Sequence, residues 1–182
     1  MTTGPHIGPG VVLDQPAFIH PTALIHGKVH IARDVSIWPY VVFRAETFEI
    51  VIGEASNVQD FAMLHVGART GTIVGARCSI THRVTLHGCT LGDDCLIGIG
   101  ATVMDGATIG AGSIVAGHAI VTENSVFPEN SIIAGAPAKL VKTRDNRASN
   151  RINAAFYRLN GLNYAKGVER FSREDWAEVL RP

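Results

Sequence analysis

An apolar residue returns every six positions along most of this chain, and few folds tolerate that period. Ile7, Leu13, Ile19, Ile25, Ile31, Ile37 and Phe43 form one run. Ile52, Val58 and Leu64 form a second, and Val74, Ile80 and Leu86 a third. Leu91, Ile97, Val103, Ile109, Val115, Val121, Phe127 and Ile133 form the last. All 21 positions hold Ile, Leu, Val or Phe in a chain only 46% hydrophobic, so chance does not produce the pattern. Four residues after each, a small or β-branched residue recurs, from Val11, Ala17 and Ala23 through Cys78 and Cys95 to Ser131; Pro137 is the departure.

Six is neither the period of a helix nor that of a simple strand. One short strand plus one bend fits it. Three hexads then close a triangular coil, and 21 hexads give about seven coils of a parallel β-helix. The large residue fills the interior near each corner, and the small one sits where the wall turns. Gly75, Gly92 and Gly110 are expected where the backbone bends. The spacing breaks three times: three extra residues near Glu46–Ile50, four near Gly67–Gly71, and one missing between Leu86 and Leu91. Insertions in a solenoid are expected as surface loops.

The length of 182 residues suits one domain. The hexads assign 1–140 to the solenoid and leave 141–182 for a linker and a C-terminal helix that packs on the solenoid or on a neighbouring subunit. Ala138 to Arg147 reads as a basic linker. Ala148 to Arg170 reads as a helix with an apolar stripe of Ile152, Ala155, Phe156, Leu159, Leu162 and Val168, weakened by Gly161. Arg173 to Leu180 reads as a further helical turn or two. With 16 basic and 16 acidic residues the formal net charge is zero, which disfavours a nucleic-acid partner. No apolar run approaches the ~20 residues of a membrane span. The opening Met1–His6 stretch carries no basic or apolar leader pattern, so the reading is a cytoplasmic protein. Of three cysteines, Cys78 and Cys95 fall on the small wall position and read as small buried side chains, and Cys89 follows His87 and Gly88 without a Cys-x-x-Cys partner, which disfavours a metal role for it.

Coil arithmetic places the histidines. Residues three hexads apart stack on adjacent coils, about 4.8 Å apart. Phe43, Leu64 and Leu86 share a face, so Arg44, His65 and His87 form a column, with His26 at its foot. Val58 and Ile80 share the previous face, which stacks Asp60 on His82. His82 therefore lies on another side of the prism from His65 and His87. A cyclic trimer would bring His65 and His87 of one subunit to His82 of the next, and three His plus an open position is the ligand set of a catalytic zinc. His20, His30, His118 and His26 read as surface or hydrogen-bonded residues.

At these residues the chain resembles the γ-class carbonic anhydrases and their relatives in the hexapeptide-repeat, left-handed β-helix superfamily. The segments that carry the resemblance are Ser36–Arg44, Ser-Asn57-Val-Gln59-Asp60, Leu-His65-Val, Thr-His82-Arg-Val-Thr-Leu-His87-Gly-Cys, and Ile132–Val141. The resemblance implies left-handed coils, against the general crossover preference. It also implies a homotrimer with Zn²⁺ shared between subunits by His65, His82 and His87; Fe²⁺ and Co²⁺ accept the same ligands. Gln59 looks like the family's glutamine that contacts the bound water or substrate. Asp60 looks like the acid behind the site, an orienter for a ligand imidazole. Arg44 resembles the arginine of an Arg-x-Asp motif that ties subunits together, here Arg44-Ala45-Glu46, one methylene longer. Tyr157 is similar to a tyrosine that reaches the pocket in many relatives, or is an amphipathic packing residue. The Gly67–Gly71 loop carries no carboxylate, where some relatives hold an acidic proton shuttle, so Glu46 is the substitute, or buffer takes the proton. The implied reaction is hydration of CO₂ to bicarbonate by a zinc-activated water. Two rival readings stand beside it: a coenzyme A-dependent acyltransferase or thioesterase on the same solenoid, and a trimeric metal-binding relative without turnover.

Overall fold

A computed structural model describes residues 6–180. Met1–Pro5, on which most of the leader expectation rests, and the last two residues of the C-terminal segment lie outside the described residues. The chain forms a left-handed parallel β-helix of about seven turns, ending in two helices. Its strands fall into an 11-stranded and an 8-stranded sheet. The larger sheet covers two sides of the prism, because the strands Leu24–Ile31 and Val42–Ile52 run through a corner from one side to the next.

The hexad explains the core. Ile25, Ile31, Ile37, Phe43, Ile52, Leu64, Ile80, Leu86, Ile97 and Ile109 are fully buried in one cluster, each three hexads from a register partner. Burying each such side chain is worth ~1.5–3 kcal/mol against leaving it in water. The small wall residues Ala23, Ala62, Cys78, Cys95, Ala101 and Ala119 are also buried. Corners are turned by residues in the left-handed conformation, among them Tyr40, Phe61, Arg77, Arg83 and Asp94. Gly75, Gly92 and Gly110 do not occupy those positions. They precede the corners, and each is a glycine because a Cβ would lie 2.4–2.7 Å from backbone of the next coil.

The insertions behave differently from each other. The extra residues at Glu46–Glu49 stay extended inside the strand Val42–Ile52 as a bulge opposite Lys28, not as a loop. The second insertion, Val66–Gly71, does leave the wall, closed by the Gly67 N–H donating to Thr70 O at 2.8 Å.

The C-terminal part corrects the sequence reading in two places. Ala138–Thr143 is a strand, not a linker, and pairs antiparallel with Ser131–Gly135, closing the last coil. Helix α1 (Arg147–Ala165) stops before Arg170 and does not dock by the expected apolar stripe. Its buried residues are Asn150, Ala154 and Gly161, whereas Ile152 is 43% exposed and Val168 47%. Gly161 permits close approach: a Cβ there would lie 3.0 Å from that of Ser36 and 3.1 Å from that of Phe18. The Asn150 amide donates to Asp94 O at 2.8 Å, and the Asp94 carboxylate binds Arg151 from α1 and Arg77 from the wall. Phe156, on the stripe, stacks instead on Trp176 of helix α2 (Arg173–Val179), whose start is fixed by a Ser172–Asp175 capping box.

Candidate metal centre

The strands Val42–Ile52, Met63–His65 and Thr85–His87 lie side by side, with Arg44 opposite His65 and His65 opposite His87. His26 pairs with Arg44 at the foot of the same column. Side chains alternate across a strand, so the residue after each buried Phe43, Leu64 or Leu86 must point outward. A cleft of about 350 Å³ opens there, lined by Arg44, Glu46, Thr47, His65, Val66, Gly67, Ala68 and His87. Glu46 is its only carboxylate, and it reaches both Arg44 and His65 Nε2, the latter at 3.0 Å. Partial desolvation works against the Glu46 anion, but its own backbone N–H, His65 and Arg44 together hold its carboxyl below the ordinary range.

The hydrogen bonds fix where ring protons sit. A carboxylate only accepts, so a ring nitrogen facing one carries the proton. His65 gives Nε2 to Glu46, and His87 gives Nδ1 to Asp105. The remaining nitrogens, His65 Nδ1 and His87 Nε2, face each other at 2.9 Å. In neutral rings both carry lone pairs, and two lone pairs at that distance repel unless a cation lies between them. Two nitrogens on a tetrahedral zinc at ~2.0–2.1 Å would stand about 3.3 Å apart, so the pair fits a metal after a shift of a few tenths of an ångström. One proton would also satisfy it.

His82 stands elsewhere. It follows the strand Ser79–Ile80, as Asp60 follows Asn57–Val58, and its Nδ1 meets Asp60 Oδ2 at 3.0 Å, leaving Nε2 with the lone pair. Its own cleft, about 490 Å³, is lined by Asp60, Phe61, His82, Arg83 and Ile99. Among the described residues no chain by itself gathers three ligands around one point. Gln59 is buried on the His82 side, its amide nitrogen donating to Asn57 Oδ1 at 2.9 Å. Asn57 donates to Ser79, and Ser79 to Asn153 of α1, at 3.0 and 2.7 Å. Tyr157 packs edge-on against Trp38, 5.6 Å between ring centroids, and burial followed by the Asp60 charge pushes its phenol up. The sequence-derived residues thus divide into two groups: Arg44, Glu46, His65 and His87 on one side, and Gln59, Asp60, His82 and Tyr157 on the other. Burial pushes the Cys89 thiol up to about 12, which keeps it protonated in the metal-free protein.

Asp105 is the residue sequence reasoning missed. It lies two residues past Val103, the register partner of Leu86, one coil beyond His87. The available signal was the residue missing between Leu86 and Leu91, which shortens the corner beneath it.

Comparison with known proteins bears on the repeat and the fold. The model of the bacterial transferase hexapeptide family (six repeats) matches residues 88–123. The mitochondrial gamma carbonic anhydrase 1 of Arabidopsis thaliana is 38% identical over 95 residues, 49% of this chain and 34% of that protein. Protein YrdA of Escherichia coli K12 is 36% identical over 103 residues, 53% of each chain. The alignments thus span about a third to a half of these relatives' lengths. The crystal structure of a candidate acetyltransferase from Bacillus cereus superposes with a TM-score of 0.83 at 30% identity, covering 86% of this chain and 92% of that one. Fold and repeat together define a hexapeptide-repeat left-handed β-helix. Within that superfamily, the curated relatives it resembles include gamma carbonic anhydrases, and the superposed structure is a candidate acetyltransferase. No helix among the described residues is long and apolar enough to cross a membrane.

Proposed function

We propose that this protein is a zinc-dependent carbonic anhydrase-like enzyme, hydrating CO₂ reversibly to bicarbonate at the interfaces of a homotrimer. The carrying observation is the pair of ring nitrogens, His65 Nδ1 and His87 Nε2, facing each other at 2.9 Å between two carboxylate-held rings. His65 and His87 would hold the metal from one subunit and His82 from the next. When bound, zinc supplies the Lewis acidity that makes water a nucleophile near neutral pH. Asp60 holds the His82 proton on Nδ1, so Nε2 is the nitrogen offered. Gln59 gives one amide N–H to Asn57, and its carbonyl oxygen is the acceptor it would offer to orient an attacking water by its O–H. Glu46 is the cleft's only carboxylate and the group placed to accept a proton, yet its Arg44 and His65 contacts stabilise the anion and make it a weak base. Proton export is therefore expected to accelerate with added buffer.

Metal analysis joined to a CO₂ hydration assay tests this on wild type and His82→Ala. The reading expects one zinc per chain and turnover in wild type, and loss of both in the variant. A second reading, acyl transfer, is supported by the Bacillus cereus neighbour. Acetyl transfer from acetyl-coenzyme A by metal-free protein would favour it. Stoichiometric zinc with no CO₂ hydration would favour a metal-binding relative without turnover, consistent with a Gly67–Gly71 loop that carries no acid.

A further inference from the structure

We propose that Asp105 is a positioning residue for His87, a role that rests on the metal reading above for its functional consequence. Its carboxylate accepts from His87 Nδ1, which forces the ring's lone pair onto Nε2, the nitrogen facing His65. Without that contact, a neutral imidazole is free to carry its proton on either nitrogen and to turn about its side-chain bonds. The niche is built for this reach. A Cβ on Gly88 would lie 2.8 Å from the Asp105 carboxylate oxygen, and one on Gly67 would lie 2.9 Å from its carboxyl carbon. Thr70 Oγ1 lies nearer still, 2.7 Å from the Gly67 position and 2.6 Å from the Gly88 one, so both glycines leave room shared by Thr70 and the Asp105 side chain, and Gly88 also takes the left-handed φ of 58°. The Gly106 N–H donates to Gly88 O at 2.8 Å, locking the Asp105 corner onto the His87 corner, and Thr70 Oγ1 donates to the same oxygen at 2.8 Å. A carboxylate behind a ligand imidazole sets its tautomer and raises its donor strength, and losing one costs metal affinity about 10–100-fold.

Two measurements on Asp105→Asn decide it, with Glu123→Gln as control. Glu123 is exposed and follows Val121, the register partner of Val103, so it removes the same charge one coil further on. Nitrogen NMR of histidine-labelled, metal-free protein should find the wild-type His87 proton on Nδ1, and a mixed or reversed tautomer in Asp105→Asn. Zinc affinity, read by competition with a chromophoric chelator, should fall about 10–100-fold in Asp105→Asn and stay unchanged in Glu123→Gln. A variant that keeps the Nδ1–H tautomer, or one that keeps wild-type zinc affinity, overturns the proposal. Wild-type protein that takes up no zinc, while the tautomer shifts as expected, sinks the metal reading and upholds the positioning.

Discussion

The side that carries His65 and His87 and the side that carries His82 are built from the same hexad, yet they present their histidines differently. The first is an open wall, where two rings converge because their strands are register partners. The second is roofed in part by α1, and its imidazole stands with one carboxylate and no second histidine. A solenoid stacks like on like along one side but separates the sides by its own thickness. The contrast teaches that register stacking converges two imidazoles on one side of a prism, while a histidine on another side stays apart from them within the same chain.

Predictions can break or sharpen that contrast. The largest effect on stability is expected beneath the open side. Leu64 is fully buried under His65, and Leu64→Ala should cost about 2–5 kcal/mol in urea unfolding. A cost below about 1 kcal/mol would mean that the wall relaxes around the gap, and that the rings above it are not held by packing.

The roofed side should respond to acid instead. Desolvation works against the Asp94 anion, but Arg151 and Arg77 outweigh it and hold the carboxyl below the ordinary range. A depressed pKa gives stability that is complete above the unfolded value of about 3.9 and lost as pH falls through the lower folded value. Asp94→Asn should therefore cost about 1.5–3 kcal/mol at neutral pH, and flatten the acid limb of stability. Trp38 reports it, since its ring lies 5.0 Å from that of Tyr164 on α1. Fluorescence in a Trp176→Phe background isolates that signal; an acid limb identical in wild type and variant would contradict the clamp.

The smallest effect belongs to Cys89, buried beside His87. With its thiol at about 12, it should resist thiol reagents at pH 8 in folded protein, and Cys89→Ala should leave zinc uptake unchanged. Rapid labelling would show that the corner beside His87 opens.

Much of this was legible in the six-residue period. Counting hexads alone stacks His65 on His87 and Asp60 beneath His82, and the strand registers agree residue for residue. Features that depend on one coil touching the next off-register were not legible. Asp105 reaches back across a shortened corner, and the hexad count marks the shortening between Leu86 and Leu91 but not the contact it allows. The docking face of α1 was misread because it is polar and small, Asn150 and Gly161, whereas the apolar stripe turns toward α2. Ala138–Thr143 looked like a linker because its exposed Lys139 and Lys142 hide a strand with only one neighbour to bury it.

The sharing of a metal between the two sides is the central claim, and mixing subunits tests it most directly. His82→Ala protein keeps the His65–His87 pair, whereas a His65→Ala, His87→Ala double variant keeps only His82. Each alone should bind no zinc. Unfolded together and refolded as mixed trimers, they should regain zinc at the interfaces where an intact pair meets an intact His82. A mixture that stays empty while wild type treated identically fills, or stoichiometric zinc in either variant alone, would contradict the account.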